Sequence, residues 1–329
     1  MTVISYPSLV EITANYRDLQ PHIISTPVVK LQHTTIKPAY AHDSEVLLKL
    51  ECFQRTGSFK VRGALTILGR AKKDDLKRGV VAVSAGNHGA AVAYAARQYG
   101  VPCKVFIMSP ANPFRVSLCR SLGADVTIVD TDKSAFEEAR RLVAKEGCLF
   151  IHPFEGHDIA LGTASVGVEF LEQSPDIDVL VIAIGGGGLA AGVSCAAKQL
   201  NPTCKVFGVE PFGADSMWRS LQAGKPEALT SVNTIADSLG APNAEPYSYS
   251  LCRTFIDDVV RISDDDICAA MYQLFVDAKL AVEPAGAAAL AALNGPLQKE
   301  IAGKRVGIVV CGANIDPYKF SEYLHRGAP

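Results

Sequence analysis

The sequence predicts an α/β fold of two open, twisted, mostly parallel sheets with helices on both faces. Short, β-branched apolar runs recur along the chain with hardly a charged residue inside them, as strands buried on both faces require. Amphipathic or alanine-rich stretches lie between these runs, and several end at glycine, as helices do. With 329 residues, 48% of them hydrophobic, the chain can form two domains or one large α/β unit.

Strands and helices alternate through most of the chain. The apolar runs that we predict as strands are residues 79–86, 103–108, 125–130, 178–185, 204–210 and 305–312. Residues 88–100 and 133–147 are examples of the helical stretches between them. Residues 179–197 form an uncharged segment that approaches membrane-spanning length, but it contains four successive glycines. A strand, a glycine loop and a helix explain this segment better than a membrane span does.

Composition and charge narrow the class of partner. The 32 basic and 34 acidic residues leave a net charge of -2, so no positive field holds nucleic acid or an anionic membrane. We therefore expect a small-molecule substrate. The nine cysteines include no CxxC pair or zinc-like Cys/His cluster, and the first twenty residues lack the pattern of an export signal. These features favour free thiols in a reducing cytoplasm.

A lysine with unusual neighbours stands in TGSFKVRGA, residues 56–64. Lys60 lies between Phe59 and Val61, with Gly57 and Gly63 on either side. An exposed lysine at a helix start is the ordinary interpretation. The alternative is a buried amine that forms a covalent bond, because a desolvated lysine loses part of its preference for the charged form.

Two loops that join a strand to a helix could bind anions. In SAGNHG, Ser84, Asn87 and the N–H groups at the helix start could hold a carboxylate, or could simply cap the helix. His88 alone is more typical of a packed or capping histidine. GGGGLAAG, residues 185–192, directs successive amides toward one point and suits a phosphate. Neither GxGxxG nor a following GK[ST] is present, so a cofactor phosphate fits better than ATP or NAD.

Two further residues lie at the ends of apolar segments near the C-terminus. Glu283 precedes an alanine-rich helical stretch, and Cys311 follows a predicted strand. Each has an ordinary explanation, as an acid at a helix N-terminus and as a small core residue.

A buried lysine, a phosphate loop and an anion loop together point to pyridoxal 5'-phosphate (PLP) held by the lysine. The segments GSFKVRGA, SAGNHG, GGGGLAAG, VEPAGAA and CGANI occur in this order. They resemble the motifs of PLP-dependent serine/threonine dehydratases, which have the tryptophan synthase β-like fold (fold type II). The resemblance extends from about residue 26 to about residue 316.

The resemblance implies roles for particular residues. Lys60 binds the cofactor aldehyde, Phe59 packs near the ring, Asn87 bonds the ring hydroxyl, Glu283 lies near the ring and Cys311 faces the pyridine nitrogen. The phosphate is held by Gly185, Gly186, Gly187, Gly188 and Leu189. The substrate is held by Ser84, Ala85, Gly86, Asn87, His88 and Ser238. We expect a small substrate-clamping domain of residues 80–152 inserted into a large PLP-binding domain of residues 1–79 and 153–329, with the cofactor between them.

The expected reaction is α,β-elimination of water from a 3-hydroxy amino acid of the L-threonine or L-serine type, giving a 2-oxo acid and ammonia. Two departures from the family pattern leave a larger substrate open, such as 3-hydroxyaspartate or phenylserine. These are ADS at residues 236–238 and ALGTAS at residues 160–165, both expected near the substrate. Arg115 could pair with a second substrate carboxylate, although a solvated helix arginine is the more ordinary interpretation.

Two other functions, racemisation and amino-acid binding without catalysis, agree less well with the sequence than this elimination does. Racemases related to these dehydratases use a serine where this chain has Ala85, and alanine cannot transfer a proton, so racemisation ranks lower. An amino-acid-binding protein without catalysis would not need Lys60.

A divalent or monovalent cation is possible near Glu210, but Ser216 stands where some relatives have a second acid. A homodimer is expected from the resemblance alone.

Overall fold

Two sheets organise the chain, and the predicted fold class is confirmed. The computed structural model describes residues 5–32, 38, 43–84, 86–109 and 113–329. The strands are β1 Val28–Lys30, β2 Glu45–Lys49, β3 Val80–Val83, β4 Cys103–Met108, β5 Asp125–Val129, β6 Leu149–Phe150, β7 Val179–Ala183, β8 Lys205–Pro211, β9 Asp258–Ile262 and β10 Arg305–Val309. The larger sheet has the order β1-β2-β10-β7-β8-β9 and the smaller sheet the order β5-β4-β3-β6.

Helices connect and cover these strands. They are α1 Leu9–Leu19, α2 Lys60–Arg70, α3 Lys73–Leu76, α4 Asn87–Tyr99, α5 Pro113–Ser121, α6 Asp132–Glu146, α7 His157–Gln173, α8 Gly188–Leu200, α9 Ser216–Ala223, α10 Pro246–Phe255, α11 Asp264–Ala278, α12 Pro284–Asn294 and α13 Pro317–Gly327. Helix α12 packs along β7 to β10, and α4 and α6 pack on β3 and β4. Among the described residues no helix is both long enough and apolar enough to cross a membrane.

The pairing of strands is parallel except at one edge. β1 runs antiparallel to β2, whereas β2, β10, β7, β8 and β9 are parallel neighbours. The smaller sheet is parallel throughout its four strands and lies within residues 80–150, inside the segment expected as the small domain. The domain boundaries themselves stay a prediction.

A buried cluster of four charged side chains joins α2 to two other elements. Arg62 of α2 bonds Glu51 (Nη2 to Oε1, 2.7 Å) and Glu169 of α7 (Nη2 to Oε2, 3.1 Å). Lys49 of β2 bonds Glu169 at 2.6 Å. Burial opposes ionisation of Glu169, but Arg62 and Lys49 outweigh it and lower the pKa of this carboxyl. The cluster fixes the turn of α2 that carries Lys60.

Candidate active site

Lys60 is the first residue of α2, and its amine faces the segment between β6 and α7. The Nζ atom donates a hydrogen bond to the carbonyl oxygen of Pro153 at 2.5 Å. Lys60 keeps a partial opening to solvent, but the surrounding protein desolvates the amine and lowers its pKa to about 8, against the opposing effects of Cys311 and Glu283. The interpretation as an ordinary solvated lysine is therefore wrong.

The backbone before Lys60 is held against the loop after β10. Thr56 and Gly57 both have positive φ, of 66° and 74°. A Cβ atom at Gly57 would lie 2.6 Å from the side-chain oxygen of Asn314, so no larger residue fits. The N–H of Phe59 donates to the carbonyl of Cys311 at 3.2 Å. This pairing brings residues 57–60 and 311–314 together although they are far apart in sequence.

The glycine loop follows β7 and leads into α8. A Cβ atom at Gly186 would lie 2.2 Å from the ring of Phe154, and one at Gly188 would lie 2.6 Å from the carbonyl oxygen of Phe154. Gly187 has a φ of 93°, in the left-handed region. Gly185 precedes these residues, and Leu189 is buried in the first turn of α8. The loop thus presents bare backbone at the positive end of a helix, which suits a phosphate.

Asn87, at the start of α4, connects the remaining polar groups. Its Nδ2 donates to Glu283 Oε1 at 2.6 Å and to Ser238 Oγ at 3.4 Å. Its Oδ1 accepts from the side-chain amide of Asn314 at 2.6 Å. Asn314 was not predicted as a site residue, although it lies in the CGANI motif. Its role depends on long-range contacts that no local pattern shows.

Glu283 and Cys311 are both buried beside this network. Burial raises the pKa of Glu283 to about 7, although Arg115 opposes the shift. Glu283 precedes α12 but makes no side-chain cap, so the interpretation as only a helix N-terminal acid is wrong. Burial also raises the pKa of the Cys311 thiol, and Glu283 adds to this effect, so the thiol is neutral.

The SAGNHG segment follows β3, an interior strand of the smaller sheet, and leads into α4. Ser84 Oγ accepts a hydrogen bond from the N–H of Gly86 at 3.0 Å. His88 is buried, its Nε2 lies 2.8 Å from the carbonyl oxygen of Ile151, and burial lowers its pKa to about 3. The interpretation of His88 as a packed histidine agrees with this. Ala85 lies outside the described residues. The predicted substrate contacts of this turn stay predictions.

Arg115 of α5 reaches across to the larger sheet. Its Nη1 donates to Asp237 Oδ2 at 2.6 Å, and its Nη2 donates to Asp237 Oδ1 and to the carbonyl of Asn314, both at 3.2 Å. Only 11% of its side chain is exposed. The interpretation as a solvated helix arginine is wrong, because the side chain is largely buried and is hydrogen-bonded to Asp237 and Asn314.

Residues 160–165 lie in α7 beneath the site. Thr163 Oγ1 donates to the carbonyl of Gly188 at 2.7 Å and lines a small cavity with Lys60 and Phe59. Ser165 instead bonds Arg62 in the buried charged cluster. This segment therefore supports the glycine loop and α2, and one of its residues reaches the cavity.

The acids at the end of β8 and just after it do not fit a metal site. Glu210 accepts hydrogen bonds from the N–H groups of Met217 and Trp218, at 2.9 and 2.7 Å. Asp215 bonds Arg219 at 2.7 Å and Arg261 at 3.1 Å. Within the described part of the chain no cluster of three or more His, Cys, Asp or Glu residues could hold a metal ion.

A desolvated lysine amine, a bare glycine loop at a helix N-terminus and a buried Asn–Glu pair define an α/β enzyme that fits PLP. The family model described as "Pyridoxal-phosphate dependent enzyme" matches residues 19–312. The chain belongs to this family.

Comparison with similar proteins defines the class of enzyme more closely. The chain is 46% identical to phenylserine dehydratase of Ralstonia pickettii, over 98% of this chain and 97% of that protein. It is 37% identical to L-threonine ammonia-lyase of Thermotoga maritima, over 86% of this chain and 70% of that protein. The structure of maize serine racemase is similar with a TM-score of 0.91 and 33% identity, covering 98% of each chain.

The chain is a PLP-dependent ammonia-lyase of the serine/threonine dehydratase type. It eliminates water from a 3-hydroxy amino acid and forms a 2-oxo acid and ammonia. The predicted cofactor and reaction class are thereby confirmed.

Proposed function

We propose that Lys60 holds the cofactor aldehyde and, once the substrate amine has replaced it, takes the proton from the substrate α-carbon. Bound PLP supplies a conjugated ring that withdraws electrons from that carbon. An amine with a pKa of about 8 is about one tenth neutral at pH 7, and the neutral form can act as a base.

The other predicted residues have the roles that the resemblance implies. Asn87 bonds the ring hydroxyl, Phe59 packs near the ring, and Gly185, Gly186, Gly187, Gly188 and Leu189 hold the phosphate. Glu283 lies near the ring. Cys311, as a neutral thiol, would face the pyridine nitrogen of bound PLP without holding a proton there, and an unprotonated ring favours prompt loss of the C3 hydroxyl. Ser238 and the SAGNHG turn, including Ala85 and His88, hold the substrate.

The preferred substrate, we propose, carries an aryl group at C3, as phenylserine does. The observation that carries this proposal is the similarity to a phenylserine dehydratase along nearly the whole chain. The site supports it with the ring of Phe154, which lies partly exposed beside the glycine loop and meets His152 edge to face at 4.7 Å. Aromatic groups pack well in such edge-to-face arrangements.

An acidic C3 substituent is less well matched to the site. Arg115 is already bonded to Asp237, and its positive charge also acts on the carboxyl group of Glu283. One guanidinium so engaged cannot neutralise two substrate carboxylates, so 3-hydroxyaspartate is disfavoured. L-Threonine remains a second candidate because of the similarity to a threonine ammonia-lyase.

A panel assay tests the substrate. Purified enzyme with PLP is supplied with phenylserine, L-threonine, L-serine and both 3-hydroxyaspartate diastereomers, and 2-oxo acid, ammonia and the chirality of the remaining amino acid are measured. We expect the highest kcat/KM with phenylserine. A higher kcat/KM with L-threonine would overturn the aryl proposal, and accumulation of a D-amino acid without ammonia would indicate a racemase.

A pair of phenylalanine variants tests the aromatic contact. Phe154→Leu should lower kcat/KM for phenylserine more than for L-threonine, because only the aryl substrate loses an aromatic neighbour. Phe275→Leu, on the exposed surface of α11, is the matched control. An equal loss for both substrates in Phe154→Leu would show that the ring does not select the substrate.

We also propose a cytoplasmic homodimer. All nine cysteines are free thiols, and most are buried, which favours a reducing compartment. The dimer follows from the resemblance. Light scattering after size exclusion should give twice the mass of one chain, and a monomeric mass would contradict it.

A further inference from the structure

The guanidinium of Arg115 lies face-on against the SAGNHG turn. A Cβ atom built at Gly86 would be 3.3 Å from Nη1, 3.4 Å from Cζ and 3.7 Å from Nε of Arg115. The three nearly equal distances place the plane of the guanidinium against the Cβ side of Gly86. A glycine at this position therefore lets a cation approach the turn that we assign to the substrate carboxylate.

Contacts from the larger sheet fix the orientation of this guanidinium. Asp237 binds both Nη atoms in a forked arrangement, and the Asn314 carbonyl accepts from Nη2. A planar guanidinium has five donors in a rigid fork. Held in this way, Arg115 presents the face of its guanidinium toward Gly86.

Several negative charges lie near the turn, so a positive charge there matters for binding a further carboxylate. Glu283, Asp237 and Asp316 all act on Arg115, and a substrate carboxylate would add another negative charge. Burial lowers the pKa of His88 to about 3, so His88 is neutral, and the amine of Lys60 is the group that we assign to the cofactor aldehyde. Arg115 supplies a permanent positive charge.

The Asp237 charge offsets that of Arg115 only in part at the turn. The Asp237 side chain is 57% exposed, whereas that of Arg115 is 11% exposed. Water screens the carboxylate on the outer side, while the guanidinium acts through the protein interior.

We propose that Arg115 binds the α-carboxylate of the substrate together with the described residues of the SAGNHG turn, Ser84 and 86–89, and that Asp237 positions the guanidinium for this contact. The inference rests on the proposed place of the substrate carboxylate, and it applies to any C3 substituent. Arg115 is thus a substrate-binding residue supplied by α5, and Asp237 is its positioning residue.

Two matched ligand pairs test the contact without turnover. L-Alanine and ethylamine differ only in the carboxylate, as do L-phenylalanine and 2-phenylethylamine, and none of the four has a C3 hydroxyl to eliminate. Dissociation constants are measured on the PLP-loaded enzyme by calorimetry and by the change in cofactor absorbance. The variants are Arg115→Met, Arg115→Lys and Asp237→Asn. The control is Arg141→Met, which removes another paired arginine near the smaller sheet.

The ratio of the two dissociation constants within a pair reports the contact. Wild type and Arg141→Met should prefer the carboxylated ligand equally. Arg115→Met should lose roughly tenfold to a hundredfold of this preference, as expected when a largely buried positive charge next to a carboxylate is removed. Arg115→Lys should retain part of it because a point charge remains, and Asp237→Asn should show an intermediate loss.

Other results would overturn the inference. An unchanged ratio in Arg115→Met, or in Arg115→Lys if the methionine variant does not fold, would show that Arg115 does not bind the carboxylate. Equal weakening of both members of a pair would assign Arg115 a purely structural role. Failure of only the phenylalanine pair to bind would reject the aryl proposal, while the alanine pair would still decide the role of Arg115.

Discussion

The carboxyl group of Glu283 links a single residue to the pH dependence of stability. Burial raises its pKa from 4.5 to about 7, so the folded protein holds a proton that the unfolded chain has released between these pH values. The stabilisation from the protonated form is fully present below pH 4.5 and is lost as the pH rises to about 7. A shift of this size corresponds to roughly 3 kcal/mol.

Replacing Glu283 with glutamine should remove this pH dependence. Between pH 4.5 and pH 7 the free energy of unfolding of the cofactor-free wild type should fall relative to that of Glu283→Gln, by up to roughly 3 kcal/mol. Urea denaturation at several pH values measures it. Parallel pH profiles for the two proteins would contradict the raised pKa.

Residues that carry a sequence motif could be predicted, and residues defined by a distant partner could not. Lys60, Asn87 and Glu283 lie in quoted motifs, and the structure brings them together. The contacts of Arg115 were not predictable because Asp237 and Asn314 lie more than a hundred residues away. Their pairing depends on how α5 of one sheet meets two loops of the other.

At the scale of elements, the glycine loop and the segment after β6 are mutually constrained. Gly186→Ala should weaken PLP binding, because the new methyl group would overlap the ring of Phe154 and displace the loop. The double variant Gly186→Ala/Phe154→Ala should recover PLP affinity, as measured by cofactor absorbance. If the double variant binds PLP no better than Gly186→Ala, crowding by Phe154 is not the cause.

The charged cluster provides a second prediction about elements. Arg62→Met removes the cation between Glu51 and Glu169 and should destabilise the protein by roughly 3–5 kcal/mol, because buried carboxylates lose their partner. The exposed pair of Arg141 and Glu138 provides the control, and Arg141→Met should cost less than about 1 kcal/mol. Similar urea midpoints for the two variants would contradict this.

Four of the described strands were not predicted from the sequence, namely β1, β2, β6 and β9, and each is short or lies at or next to a sheet edge. The long apolar runs were recognisable, since β7 is buried on both faces. β1 and β6 have only three and two residues. β9 contains Asp258 and Arg261 and forms the edge beside β8. Their pairing depends on tertiary contacts, so local hydrophobicity did not indicate them.

For the whole molecule, the site is assembled from both sheets and should be stabilised by its cofactor. A ligand that binds only the folded state adds about 2.7 kcal/mol at a hundred times its Kd. PLP should therefore raise the Tm of wild type in a concentration-dependent way, and by less in Lys60→Ala, which lacks the amine. Equal increases in both proteins would show that Lys60 does not bind PLP.

The segment from His152 to Glu155 is the chain's return path from the smaller sheet to α7. Pro153 accepts from the lysine amine, Phe154 lies on the glycine loop, and Glu155 accepts from the N–H groups of Tyr247 and Ser248 at the start of α10. This short segment therefore connects the smaller sheet to α7 and also contacts the lysine amine and the glycine loop of the site. A change in the path of this segment would therefore displace, at the same time, the carbonyl oxygen that accepts from Lys60 and the ring that lies on the glycine loop.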